Sequence, residues 1–209
     1  MFYYICFILA YLPLLILYPT RVIGKKNIPK KGKMILCCNH QSNADVPLIA
    51  TRLCRRRYKY MAKDSLFKNK LLGAILKNWG GYPIKRGETD LQAVKKTLGY
   101  LKADKAVCIF PEGTRVQTTD QNNLKDGVIL FAIRSKAPIV PAMIIRKPRI
   151  FRRNRLVVGK PFNLSEMEEF KDARLNEELM AKGKQILHDR MFELLDKYQY
   201  KKKKKKKDK

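Results

Sequence analysis

Short apolar runs alternate with amphipathic stretches along most of this chain. Met34–Cys38 and Ala106–Phe110 are apolar runs of strand length. Val46–Leu53 reads as a helix, Tyr58–Met61 as a strand and Leu66–Trp79 as a helix, before Gly80-Gly81 breaks the chain. Tyr82–Lys85 predicts a further strand. Leu91, Val94, Leu98 and Leu101 recur at helical spacing, with Thr89 or Asp90 placed to cap that helix. Gly127–Arg134 predicts a helix, Ile139–Ile145 and Leu156–Val158 predict strands, and an apolar stripe from Leu179 to Tyr198 predicts a last amphipathic helix. Strands alternating with helices predict an α/β fold, a single domain with a mixed, mostly parallel sheet flanked by helices. No internal repeat or second domain is visible.

The two ends depart from this pattern. Met1 to Tyr18 carries no charge, and Pro13 is its only residue outside the apolar and aromatic set. That length is at the lower limit for crossing a bilayer, and the tyrosines favour the lipid–water interface. Residues 1–20 therefore read as an N-terminal membrane-anchoring helix. The basic residues that follow (Arg21, Lys25, Lys26, Lys30, Lys31, Lys33) place the rest of the chain, with its folded domain at residues 21–199, on the cytoplasmic side of the cell membrane. Residues 200–209 read as a disordered lysine-rich tail, because like charges in a run repel one another.

Charge sharpens the picture. The 209 residues hold 46 Lys and Arg against 18 Asp and Glu, a formal net charge of +28. Residues 1–163 alone hold 32 of these cations and 8 of the acids, so the folded part is itself basic. A neutral enzyme with no anionic partner is excluded; phosphate, nucleic acid or an acidic membrane surface is implied. The five cysteines show no paired C-x-x-C spacing and are odd in number, which argues against a disulfide framework or a zinc site.

Two polar clusters follow strands, where loops at carboxyl ends build sites in α/β sheets. The first is Asn39-His40-Gln41-Ser42-Asn43-Ala44-Asp45. With His40 at the entry to a helix and Asp45 in its first turn, the carboxylate can orient the imidazole and leave one ring nitrogen free as a base. A histidine satisfied by backbone and an aspartate that merely caps a helix is the plainer alternative. The second cluster is Phe110-Pro111-Glu112-Gly113-Thr114-Arg115, in which glycine permits close approach, Thr114 supplies a hydroxyl and Arg115 offers a planar fork for phosphate. Its plainer alternative is an ordinary turn. Gly81-Tyr82-Pro83-Ile84-Lys85-Arg86 puts two more cations at a strand end. There is no G-x-S-x-G elbow and no set of ligands at metal-binding spacing, so neither a covalent acyl-enzyme nor a metal is implied.

Taken together and in this order, the clusters resemble those of the glycerolipid acyltransferases, specifically the bacterial lysophosphatidic acid (1-acylglycerol-3-phosphate) acyltransferases. That family is marked by N-H-x-x-x-x-D, a glycine-led segment ending in Arg, F-P-E-G-T-R and a strand containing V/I-P, here Ile139-Val140-Pro141-Ala142. The likeness covers about residues 20–195. It departs from the family pattern at Lys85, Val116 and Ala142.

The resemblance implies a mixed sheet wrapped by helices and bound to one membrane leaflet. It also implies transfer of a fatty acyl group from an acyl thioester, acyl-CoA or acyl carrier protein, to the sn-2 hydroxyl of lysophosphatidic acid, giving phosphatidic acid. By position, His40 is then the general base and Asp45 its partner. Arg86, Glu112, Gly113, Thr114 and Arg115 hold the glycerol phosphate, and Pro141 shapes the acyl and acceptor pocket. The thioester is a co-substrate, and no cofactor is implied. The partners are membrane lipids and the two substrates, with no specific nucleic acid; oligomeric state is not legible. Competing readings are an acyltransferase for another lysolipid or glycerol-3-phosphate, a basic protein that binds nucleic acid or membrane surfaces through clusters such as Arg55-Arg56-Arg57, and an inactive membrane scaffold.

Overall fold

The computed structural model describes residues 11–85, 90–116, 124–171 and 175–207. Helix α1 (residues 11–17) leads into strand β1 (Thr20–Ile23), followed by β2 (Met34–Cys38), α2 (Asp45–Arg52) and β3 (Tyr58–Lys63). Then come α3 (Lys70–Asn78), β4 (Gly81–Ile84), α4 (Leu91–Lys102), β5 (Ala106–Ile109) and α5 (Gly127–Ser135). Strands β6 (Ile139–Ile144) and β7 (Asn154–Val158) and helix α6 (Glu177–Lys207) complete the chain.

The strands form one seven-stranded sheet in the order β1-β7-β6-β2-β5-β3-β4. Every neighbouring pair is parallel except β6 and β7. β2 lies at the centre, with Cys37 opposite both Ile109 of β5 and Pro141 of β6. Alternate residues of these strands supply two cores. Ile35, Cys37, Val107, Ile109, Ile139 and Met143 pack with side chains of α4, α5 and α6. Leu36, Cys38, Cys108, Val140, Ala142 and Ile144 pack with Leu48, Ile49 and Leu53 beside α2. A parallel sheet has to be covered on both faces, which is why its central strands read as continuous apolar runs.

Local chemistry sets the helix boundaries. Asp90 caps α4: its Oδ1 accepts from Ala93 N at 2.9 Å and its Oδ2 from Lys85 N at 2.9 Å. The helix predicted over 66–79 divides into a 3₁₀ turn at Asp64–Phe67 and α3, because the Asn69 side chain accepts from Leu72 N and starts a new helix there. Strand β1 was hidden in a short basic stretch. It is recruited by β7, with Thr20 opposite Asn154 and Ile23 opposite Val157.

The ends also differ from the sequence reading. Residues 1–10 of the expected anchor lie outside the described residues, while its remainder forms α1 and the approach to β1. No helix among the described residues is long and apolar enough to cross a membrane. At the other end α6 continues through the lysine run to Lys207, where charge repulsion alone predicts disorder. Lysine has good intrinsic helix propensity, and the run extends a helix that has already nucleated.

Candidate active site

β2 is buried along its whole length, so polar side chains emerge only past its carboxyl end. Asn39, itself buried, fastens that end to β6: its Nδ2 donates to Ile144 O at 3.0 Å, and Ile144 N donates to its Oδ1 at 2.7 Å. The chain then turns tightly, with Ala44 N donating to Ser42 Oγ at 3.1 Å and Asp45 N to Ser42 O at 3.2 Å. This turn places Asp45 at the first residue of α2, where the helix dipole favours a negative charge.

Asp45 is fully buried, and its Oδ2 collects three donors: His40 Nδ1 at 2.9 Å, Gln41 N at 2.6 Å and Ser42 N at 2.7 Å. The two backbone amides fix the carboxylate, and the carboxylate fixes the imidazole. Its Oδ1 is buried and has no hydrogen-bond partner among the described residues. The His40 side chain keeps 13% exposure, and because Nδ1 is engaged, Nε2 is the nitrogen left for a substrate.

The second loop, after β5, closes on the first. Phe110 stacks on the His40 ring with centroids 4.3 Å apart and planes 25° apart. Glu112 is buried, and its Oε2 accepts from His40 N at 3.0 Å. Val116 N donates to His40 O at 2.8 Å, and Arg115 Nη1 donates to Asn43 Oδ1 at 3.0 Å. Gly113 sits at φ +69°, in the left-handed region, and a side chain there would also meet the stem of Lys125 at 3.4 Å. Lys125 N in turn donates to Pro111 O at 2.8 Å, bringing a third charged residue against the loop.

His40, Asp45, Glu112, Gly113, Thr114 and Arg115 thus meet at the carboxyl ends of adjacent strands. Thr114 and Arg115 are exposed, as a group that receives a ligand must be. Glu112, grouped from the sequence with the ligand-holding residues, turns inward and braces the His40 backbone. Arg86 lies outside the described residues. Pro141 is placed elsewhere: it sits opposite Cys37 in mid-strand and lines a cavity of about 380 Å³ with Gly24, Gly159, Arg190 and Leu194. That cavity is at the end of the sheet where β7 finishes, and β7 runs against β6, so it faces away from His40.

Sequence reasoning assigned no role to Phe110, Asn39 or Asn43. Their signal was present, since all three lie inside the two polar clusters, but only contacts between loops give them work. Among the described residues, no group of three or more His, Cys, Asp or Glu side chains could hold a metal ion. Cys37, Cys38 and Cys108 are buried, and burial pushes each thiol well above its ordinary pKa, which suits packing rather than nucleophilic chemistry.

Known proteins resemble this chain in sequence and fold. The chain is 29% identical over 183 residues to a 1-acyl-sn-glycerol-3-phosphate acyltransferase of Bacillus subtilis, covering 85% of this chain and 89% of that one. A namesake from Streptococcus pneumoniae is 27% identical over 144 residues, 66% of this chain and 53% of that one. The crystal structure of the 1-acyl-sn-glycerophosphate (LPA) acyltransferase PlsC from Thermotoga maritima superposes with a TM-score of 0.60 at 25% identity, over 84% of this chain and 72% of that one. The sequence profile of the acyltransferase family matches residues 19–145, from the start of β1 to the end of β6 and so across both site loops, and the chain belongs to that family.

Proposed function

We propose that this chain transfers a fatty acyl group from an acyl thioester, acyl-CoA or acyl carrier protein, to the sn-2 hydroxyl of lysophosphatidic acid, giving phosphatidic acid. The observation that carries this reading is the contact between His40 Nδ1 and Asp45 Oδ2 at 2.9 Å, made beside Arg115 on the facing loop. The names borne by the relatives support the choice of acceptor.

That geometry supports the following course of reaction. Nε2 of His40 takes the proton of the lysolipid hydroxyl as its oxygen attacks the thioester carbonyl. The carbon–sulfur bond of the tetrahedral intermediate then breaks, and the imidazolium returns the proton to the leaving thiolate. Asp45 does not move the proton; it holds the ring tautomer and steadies the imidazolium. General-base help of this kind is worth roughly 10²–10⁴-fold. Thr114 and Arg115, with Arg86 from the segment after β4, receive the acceptor phosphate, which a guanidinium can bind in a bidentate fork. The enzyme works at the cell membrane with its catalytic domain on the cytoplasmic side, anchored through residues 1–20. Meeting both lipids there supplies proximity.

The test is a transfer assay with labelled acyl-CoA and acyl carrier protein thioesters, each offered lysophosphatidic acid, another lysolipid and glycerol-3-phosphate. Lysophosphatidic acid is expected as the preferred acceptor, with His40→Ala abolishing turnover while the protein stays folded. A better rate on one of the other acceptors overturns the acceptor assignment, and substantial turnover by His40→Ala removes His40 from its role.

A further inference from the structure

The loop between β6 and β7 is built to hold apolar side chains out in water. Ile150 is 51% and Phe151 70% exposed, the latter among the most exposed large apolar residues described. Buried Asn154 clamps the loop from beneath: its Oδ1 accepts from Arg149 N at 3.1 Å, and its Nδ2 donates to Arg149 O at 3.3 Å and Arg152 O at 2.9 Å. Phe151 N donates to Leu17 O at 2.7 Å and Asn154 N to Pro19 O at 2.8 Å, tying the loop to the end of α1. Phe151 is held at φ +55°, a conformation that a bulky aromatic residue seldom adopts. A rigid loop that keeps an aromatic ring exposed at a strained position is a feature to be explained by function.

The surroundings name the partner. Within the eight residues 146–153 stand five exposed cations, Arg146, Lys147, Arg149, Arg152 and Arg153, and no acid. β6 is parallel to β2, so this loop leaves the same end of the sheet as the His40 loop. Exposed Leu12 and Ile16 on α1, Leu71 on α3 and Leu91 at the start of α4 belong to that end as well. An apolar tip ringed by cations matches the layering of an anionic bilayer, acyl chains beneath a surface of phosphates.

We propose that the β6–β7 loop is a membrane wedge: Ile150 and Phe151 enter the acyl region of an anionic bilayer while the five cations engage the headgroups, seating the His40 end of the sheet against the lipid. This rests on the membrane location argued above and adds to it a contact separate from residues 1–20.

The test uses the full chain with Phe151→Trp in a Trp79→Phe background, which moves the only tryptophan into the loop. It is titrated with phosphatidylcholine vesicles, with and without phosphatidylglycerol, carrying brominated acyl chains. Blue-shifted, bromine-quenched emission is expected with the anionic vesicles. In the otherwise native chain, Ile150→Ser with Phe151→Ser is expected to weaken binding to these vesicles about tenfold, while turnover of lysophosphatidic acid in detergent micelles stays within about twofold.

Unquenched emission from vesicle-bound protein overturns the wedge, because the protein is then held by its N-terminal segment alone. So does conversion of a dimer to a monomer by the double variant, which would make a second copy the loop's occupant, or loss of RNA binding with unchanged vesicle binding. Quenching in a protein that acylates no acceptor would leave the wedge standing and remove the proposed reaction instead.

Discussion

Arg115 and Asn43 join the two site loops: the guanidinium donates to Asn43 Oδ1 at 3.0 Å, although the residues lie 72 positions apart. The bond holds an exposed cation against Asn43, which is three residues along the chain from His40. In the proposed reaction a phosphate held at Arg115 is thereby kept against the loop that carries the base.

Replacing Arg115 therefore separates binding from chemistry. Arg115→Ala is expected to raise KM for lysophosphatidic acid about tenfold or more and to change kcat less. Arg115→Lys, which keeps the charge and loses the fork, is expected to fall between. Steady-state kinetics with the acyl donor saturating decide it; a change confined to the donor's KM would remove Arg115 from the acceptor site.

Asp45→Asn tests the brace on the imidazole. The amide fills the same space but reverses the preference for the Nδ1–H tautomer. Turnover is expected to drop by roughly 10²–10⁴-fold, with KM little affected. Circular dichroism and a melting curve establish that the protein still folds, and near-normal turnover would show that the ring needs no carboxylate.

Glu112 separates positioning from binding. Glu112→Gln retains an oxygen that can accept from His40 N, whereas Glu112→Ala takes the partner from that part-buried amide, at a cost of about 1–3 kcal/mol. Gln is expected to recover most of the stability and kcat that Ala loses. If Gln and Ala instead raise KM for the lysolipid equally, Glu112 contacts substrate and does not brace the histidine.

The cysteines predict a reactivity pattern. Cys54 is exposed, while Cys37, Cys38 and Cys108 are buried with raised thiol pKa values. Of these four, only Cys54 is expected to react rapidly with a thiol reagent in the native state, as mass mapping would reveal. The pH dependence has a definite sign. A folded-state pKa raised above the unfolded value gives stability that is fully present below the unfolded thiol pKa, about 8.5, and is lost as pH rises toward the folded values. Thermal melts from neutral to alkaline pH are expected to fall, and to fall less in a Cys37→Ala, Cys108→Ala chain.

Much was determined by the sequence alone, because the interactions responsible are local. β2 matched its predicted span of Met34–Cys38 because a strand buried on both faces admits no polar residue, and Asp90 caps α4 through an amide three residues away. The His40–Asp45 pair was legible for the same reason: five residues, one turn and a helix start are enough to define it.

What needed the tertiary structure depends on partners distant in sequence. β1 exists because β7 pairs with it, and no local pattern in Thr20–Ile23 specifies that pairing. Glu112 turns inward to accept from the backbone amide of His40, 72 residues away. Pro141 faces a cavity remote from the histidine because β7 returns antiparallel and reverses which end of the sheet its neighbours build. Residue types and short spacings name the chemistry this chain carries; strand order and direction, settled only when the sheet assembles, decide which of those residues share a site.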